Sequence, residues 1–560
     1  MQKCAIGINV SVVSTETDRS TVAEASDTGL TWAAGVPEPE SRTTKLAQLV
    51  AQQIVDDIVR RGWPVNESLG AEPELMARYA VSRAVLREAI RLVEHMGIAT
   101  MRRGPRGGLI ITSSSVSSVT DAIAIFLETE VVNLDDLAEA RVVLELQAVR
   151  LAADRMDTAG TDALLRVPME QEGPGIGLDA GDSDLHLAVA EAAGNPVLLL
   201  FIDALCRLER RYMTAVWTPD RKPRPHVAAA LGQAHRAIAD AVISGDGLLA
   251  RHRMLSHLES VARFVRLYGN DPGEDPEWPP GGPQTPDDAD PPANLVPGIS
   301  AVSSDGRKLG EVTAARIRRD IARRRAPVGT NLGSESVLLA SYGVSRSVLR
   351  EAVRLLEYHS VARMRRGPGG GLVVVKPDAE AVIRAVALYL QSVGVDSHSL
   401  YEARDTIELA SVAYAVERLE PSGVNVLRQA LDAEGGGLVA VPRDQGYATI
   451  HSAIAELTGN RILSLFTRIL LALTATQMGP LSETERPRAR VRAHVSHDEI
   501  VTAILAGDSA LARRRMRVHL WELEKRHAPV GNAGDGQGQE EMPPALMLAK
   551  PPPANLGLQL

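Results

Sequence analysis

Four side chains in the first half of this 560-residue chain have the types and spacing of a metal site: Asp182, His186, His235 and His257. Asp182 and His186 stand four apart, so on a helix the carboxylate and the imidazole share a face. His235 sits in Ala-His-Arg-Ala-Ile-Ala-Asp-Ala-Val, and His257 follows twenty-two residues later in Met-Leu-Ser-His-Leu. One carboxylate and three imidazoles projecting into a helical bundle suit Zn, Ni or Mn rather than Ca or Mg. The second half carries His451, His497 and His519, with Tyr447 where the carboxylate would stand. Three imidazoles can hold a metal with water or a ligand carboxylate as fourth donor; equally, the second centre can be a metal-free partner of the first.

A second chemistry is written in arginines. Val81-Ser-Arg-Ala-Val-Leu-Arg-Glu-Ala-Ile-Arg-Leu-Val-Glu ends at Glu94, and a near-copy runs from Val344 to Glu357. Ser82 is placed to cap a helix whose Val85, Leu86, Ile90 and Val93 recur at helical spacing and face a core. Arg83, Arg87 and Arg91 then share one flank. Between 83 and 106 six arginines (Arg83, Arg87, Arg91, Arg102, Arg103, Arg106) stand against Glu88 and Glu94. Between 346 and 369 six more (Arg346, Arg350, Arg354, Arg363, Arg365, Arg366) stand against Glu351 and Glu357. The whole chain has a net charge of −9, so only these local fields can face phosphate. Arginines at the N-terminal end of a recognition helix can bond guanine O6 and N7 bidentately.

These residues need elements to position them. Lys45 to Arg61 has one apolar face, closed by Gly62-Trp63-Pro64; Glu72 to Tyr79 makes a short second helix; and the arginine helix runs from Ser82 to about Met96 and ends at Gly97. Ile98 to Thr112 reads as two short strands around a Gly-rich basic turn that includes Arg102, Arg103, Gly107 and Gly108, matched later by Arg365, Arg366, Gly370 and Gly371, and such a turn lets backbone N–H groups and arginines approach phosphate or enter the minor groove. This is the order of a winged helix-turn-helix. Lys45 pairs with Lys308, Arg83 with Arg346, Arg102 with Arg365 and Arg141 with Arg404, each 263 positions on, while His235 and His257 match His497 and His519 at 262. A near-constant offset means two copies of a two-domain unit.

The expected organisation is mainly α: a disordered arm at 1–40, a winged helix-turn-helix at 41–114, a Ser-rich connector at 113–118, a helical domain at 119–269, a Pro/Gly/Asp-rich linker at 270–303, a second winged helix-turn-helix at 304–377, a second helical domain at 380–527 and a disordered tail at 528–560. Aromatic content of 3% argues against bases stacked on aromatic platforms. Cys4 and Cys206 make no ligand spacing or disulfide framework, and no run of eighteen apolar residues exists. A protein of a reducing cytosol is expected, with no membrane contact, and the resemblance given next implies a bacterial one associated with the nucleoid.

Leu69-x-x-Glu72-x-x-Leu75, then Val81-Ser-Arg-x-x-Leu-Arg-Glu-Ala89 and the basic wing, resembles the GntR family of bacterial transcription regulators, over about 70 residues in each half. The second half repeats the pattern from Leu332 to Ala352. Where the family usually has Ser-Glu-Arg, this chain has Ala71-Glu72-Pro73 and Ser334-Glu335-Ser336, so one implied DNA contact per half is absent. The resemblance implies that Arg83, Arg87, Arg346 and Arg350 read bases. Asp-x-x-x-His-(x)8-Asn, then His and a further His at +22, resembles the all-helical FadR C-terminal (FCD) domain of this family. That resemblance implies a small effector, often a carboxylate beside a metal, with Arg141 and Arg404 as effector-cavity or interface residues. The fold expected is two winged helix-turn-helix domains, each followed by an FCD bundle, in a regulator that acts as a repressor. Its partner is a near-palindromic DNA operator, bound by an intramolecular pseudo-dimer or a homodimer. The rival readings are a metal-dependent enzyme, for which no general-base motif, nucleophile elbow or phosphate loop is found, and a nonspecific nucleoid-type binder.

Overall fold

The computed structural model describes residues 42–269 and 309–527, apart from positions 96, 103, 105–106, 113–115, 131, 171–177, 217–224, 366, 368–369, 436–447 and 478–484. The expected arm, linker and tail lie outside the described residues.

Each half begins with a three-helix head and a two-stranded wing. In the first, α1 (Arg42–Arg60), α2 (Glu72–Tyr79) and α3 (Arg83–His95) are followed by β1 (Ala99–Arg102) and β2 (Gly108–Ile111). The strands pair antiparallel, with Ala99 opposite Ile111 and Arg102 opposite Gly108. The buried stripe expected of α3 is met: Val85, Leu86, Ile90 and Val93 pack with Ile54 and Ile58 of α1 and Leu109 and Ile111 of the wing. Gly97 has φ +68° and ends α3, with Ile98 N–H donating back to the Val93 carbonyl. Tyr79 donates to Asp57 at 2.7 Å and so fastens α2 to α1.

The first bundle then runs α4 (Val116–Thr129), α5 (Leu134–Arg155), α6 (Thr158–Glu170), α7 (Leu178–Ala192), α8 (Pro196–Val216), α9 (Pro225–Ile243) and α10 (Gly247–Gly269). Helix α4 starts inside the expected 113–118 connector, because Val119, Ile123 and Leu127 already follow a helical stripe into the core. The second half repeats the order: α11 (Leu309–Arg323), α12 (Glu335–Tyr342), α13 (Arg346–Tyr358), β3 (Ala362–Arg365), β4 (Gly371–Val374), α14 (Ala379–Ser392), α15 (Ser397–Glu417), α16 (Pro421–Gly435), α17 (Ala448–Leu457), α18 (Arg461–Gln477), α19 (Glu485–Leu505) and α20 (Ser509–His527).

The two bundles share one hydrophobic core, built from α4, α5 and α8 against α14, α15 and α18. At its centre the rings of Phe201 and Phe466 stack with centroids 3.9 Å apart and planes 3° from parallel. Around them contacts come in reciprocal pairs. Arg155 meets Glu402 at 2.6 Å, and Arg418 pairs with Glu139. Asn195 donates to Glu402 at 2.9 Å, and Asn460 donates to Glu139 at 3.1 Å. The heads are docked crosswise: Ile125 of α4 is buried in the core of the second head, and Leu388 of α14 packs against the core of the first.

Candidate functional site

The arginine helices are built for exposure on one side only. Ser345 accepts from Val348 N–H at 3.4 Å at the start of α13, and Ser82 stands in the same relation to Val85 at 3.5 Å. Arg83, Arg87, Arg91, Arg346, Arg350 and Arg354 are all exposed, as are Arg102 and Arg365 at the ends of β1 and β3. Arg103 and Arg366 lie outside the described residues. An acid quoted in the sequence reading only as part of the family pattern steadies each pair: Glu72 meets Arg87 at 2.8 Å and Arg83 at 3.4 Å, and Glu335 meets Arg346 at 3.1 Å and Arg350 at 3.6 Å. The hydrogen bond from Arg87 holds the Glu72 carboxyl below its usual value. The glycines divide. Gly107 and Gly370 are partly exposed in the wing turns, but Gly108 and Gly371 are buried against the loop before the second helix. A Cβ on Gly108 would lie 2.6 Å from Ser68 Oγ and 2.7 Å from the Gly70 carbonyl; on Gly371 it would lie 2.5 Å from the Gly333 carbonyl. Their smallness answers a backbone contact within the head that the sequence reading did not foresee.

Behind each head lies a histidine centre. His186 (α7), His235 (α9) and His257 (α10) bring their ring nitrogens within 4.8 Å of one another, and so do His451 (α17), His497 (α19) and His519 (α20). The Nε2 atoms of His186 and His257 are 3.2 Å apart, as are those of His497 and His519. All six rings are at most 4% exposed, so the nitrogens face one another rather than water. The side chain of Asp182, the expected fourth donor, lies outside the described residues, as does Tyr447.

Carboxylates missed in the sequence reading set the orientation of these rings. His186 donates from Nδ1 to Glu145, 41 positions away on α5, and His451 donates in the same way to Glu408 on α15. His497 Nδ1 lies 2.8 Å from Glu434. A carboxylate on Nδ1 fixes the tautomer that leaves Nε2 with its lone pair directed to the centre. Burial alone would raise the Glu145 carboxyl, but Arg141 and His186 outweigh it and hold it at about 2; Arg404 and His451 do the same for Glu408. Burial pushes His451 down and, with the neighbouring imidazoles, pushes His519 well below 6.5. Neutral, aligned imidazoles are the state a metal requires, and the donor set fits a borderline transition ion.

Arg141 and Arg404 are buried in these networks. Arg141 pairs with Glu145 at 2.6 Å and with Glu209 of α8 at 2.5 Å. Arg404 pairs with Glu408 at 2.6 Å, lies 5.2 Å from the Tyr401 ring centre, and reaches Thr474 Oγ1 at 3.5 Å. The i, i+4 spacing of Arg141 with Glu145, and of Arg404 with Glu408, was the available signal for these acids.

Two arginine-faced winged helices on a doubled helical core define a DNA-binding transcription regulator. The family model described as bacterial regulatory proteins, gntR family, matches residues 46–107 and 309–372, and the FCD domain model matches 136–260 and 399–521. The chain belongs to the gntR family, with both domains present twice. A putative L-lactate dehydrogenase operon regulatory protein of Escherichia coli (strain K12) is 30% identical over 241 residues, which cover 40% of this chain and 89% of that protein. The HTH-type transcriptional repressor NanR of Citrobacter rodentium is 27% identical over 232 residues, 40% of this chain and 87% of the relative. The HTH-type transcriptional regulator LutR of Bacillus subtilis is 25% identical over 209 residues, 36% of this chain and 93% of the relative. Each relative is thus matched over most of its length by less than half of this chain.

Proposed function

We propose that the chain is a ligand-responsive repressor that binds a near-palindromic operator as one pseudo-dimeric molecule in the bacterial cytoplasm. The observation that carries this reading is the doubling of the whole unit, reader and histidine centre together, about a shared core. Arg83, Arg87, Arg346 and Arg350 read base edges, while Arg102 and Arg365, with the neighbouring wing residues Arg103 and Arg366, hold phosphate or enter the minor groove. His186, His235 and His257, with Asp182, hold a divalent ion such as Zn, Ni or Mn; His451, His497 and His519 form the second such centre. A bound ion there supplies a Lewis-acidic anchor for a small carboxylate. Arg141 and Arg404 serve by fixing Glu145 and Glu408, which orient the histidines. The relatives named for an L-lactate operon and as a repressor support the effector class and the sign of regulation. No helix among the described residues is long and apolar enough to cross a membrane.

Footprinting on the DNA upstream of the chain's own coding region tests the reading. A protected inverted repeat that loosens when one small carboxylate is added supports it; uniform protection, or none, overturns it. Metal content of the purified chain is compared with that of His235→Ala, and equal metal in both removes the first centre as assigned.

A further inference from the structure

The first histidine centre is joined to the second winged helix by two runs of hydrogen bonds and ion pairs, linked through helix α8. His186 donates to Glu145, Glu145 meets Arg141 at 2.6 Å, and Arg141 meets Glu209 of α8 at 2.5 Å. Two residues further along the same helix, Arg211 meets Glu128 of α4 at 3.0 Å and Asp121 at 3.0 Å. Glu128 is also 3.4 Å from Arg318, which lies on α11 of the second head and whose side chain is only 12% exposed. Glu209 and Arg211 lie on different faces, so α8 links the two runs, with one face toward Arg141 and another toward α4. Ile125, on α4 beside Glu128, is already buried in the core of that second head.

The other half lacks this series. At the positions matching Glu209, Arg211, Glu128 and Arg318 stand Thr474, Thr476, Gln391 and Val55. The Thr476 hydroxyl bonds its own helix at the Leu473 carbonyl, and Val55 is buried among apolar neighbours in the first head. The apolar dock is kept, with Leu388 in the place of Ile125, but not the ionic one.

We propose that Glu209 and Arg318 are positioning residues through which occupancy of the first histidine centre sets the placement of the second winged helix, with no matching route from the second centre to the first head. This rests on the metal reading above. Coupling between sites needs a coupling measurement, because spatial continuity alone does not establish it. Zn²⁺ serves as the probe, with a DNA duplex selected from a random pool by the full chain. The dissociation constant for that duplex is measured with and without Zn²⁺ for the unaltered chain, for Arg318→Val, for Glu209→Thr and for both together. Val and Thr are the residues the chain itself uses at the matching sites, and a thermal melt checks that each variant folds.

For the unaltered chain the Zn²⁺-dependent change is on the order of tenfold. In each single variant it falls to within about twofold, with Zn²⁺ content and metal-free DNA affinity retained, and the double variant loses no more than either alone. Hydroxyl-radical footprints change with Zn²⁺ only over the half-site that Arg350→Ala exposes. Full coupling in both single variants, or losses that add in the double, overturns the positioning role while leaving the metal reading intact. Failure of the unaltered chain to bind Zn²⁺ overturns both.

Discussion

At the scale of single residues, the histidine centres join chemistry to stability. In the folded chain His451 is held below 6.5 and His519 well below it, so the neutral rings are favoured. As pH falls through the ordinary histidine range, the unfolded chain takes up protons that the fold refuses, and stability falls. Glu145 and Glu408, at about 2 against an ordinary 4.5, add a second loss as pH drops from about 4.5 towards 2. The urea midpoint of the metal-free chain should therefore fall between pH 7 and 5.5, less steeply in His519→Asn; a flat profile over that window contradicts the assignment. Binding to DNA is set at the same scale: Arg87→Ala with Arg350→Ala should cost about 1–3 kcal/mol per lost guanine contact and leave the melting curve in place, as gel-shift titration and calorimetry can show. The three histidines of each centre and the arginine rows were legible in the sequence, because their spacing is local or repeated. Glu209 was not singled out, since it meets Arg141 only across a fold-made contact; Glu145 was passed over despite its i, i+4 spacing to Arg141, and Glu72 was quoted only within the family pattern, not as the partner of Arg83 and Arg87.

At the scale of elements, α3 and α13 are near-copies whose first turns differ at one position. Ala84 and Ser347 are both exposed in the first turn, where recognition helices meet base edges, and Ser347 Oγ sits 2.9 Å from Ser345 Oγ. The two half-sites should therefore match except at one base step, and selection of duplexes by Ser347→Ala should restore the symmetry there; an unchanged consensus would refute this. The helices themselves stand on their buried side: Leu86→Ala should destabilise the first head by about 2–5 kcal/mol, read from a denaturant melt of the full chain. Helix, turn, helix and wing were readable element by element, from caps and apolar stripes that depend on neighbours three and four residues away. The start of α4 was read too late because its first turn is Ser-rich, and burial of Val119 overrides that weak local signal. The contact that requires Gly108 and Gly371 to be small was not foreseen, because glycine carries no record of what lies against it; only the folded loop before the second helix of each head supplies the reason.

At the scale of the whole molecule, duplication was plain from the offset between the halves, whereas the crossed docking of the heads was not, because Ile125 and Leu388 look like ordinary bundle residues. The shared core around Phe201 and Phe466 predicts one chain per operator, which sedimentation of the operator complex would read as a 1:1 species; a 2:1 complex would count against the pseudo-dimer. Phe201→Ala should loosen the joint core by about 3–5 kcal/mol. The stacked phenylalanines carry a further meaning. In an assembly of two identical chains, the residue on the symmetry axis faces its own copy, and any codon change alters both sides at once. Here the two rings are encoded separately, and so are the two readers and the two centres. One side can drift while the other holds still, and the surface around Phe201, already covered by its own sister half, is not open to trade with a stray relative.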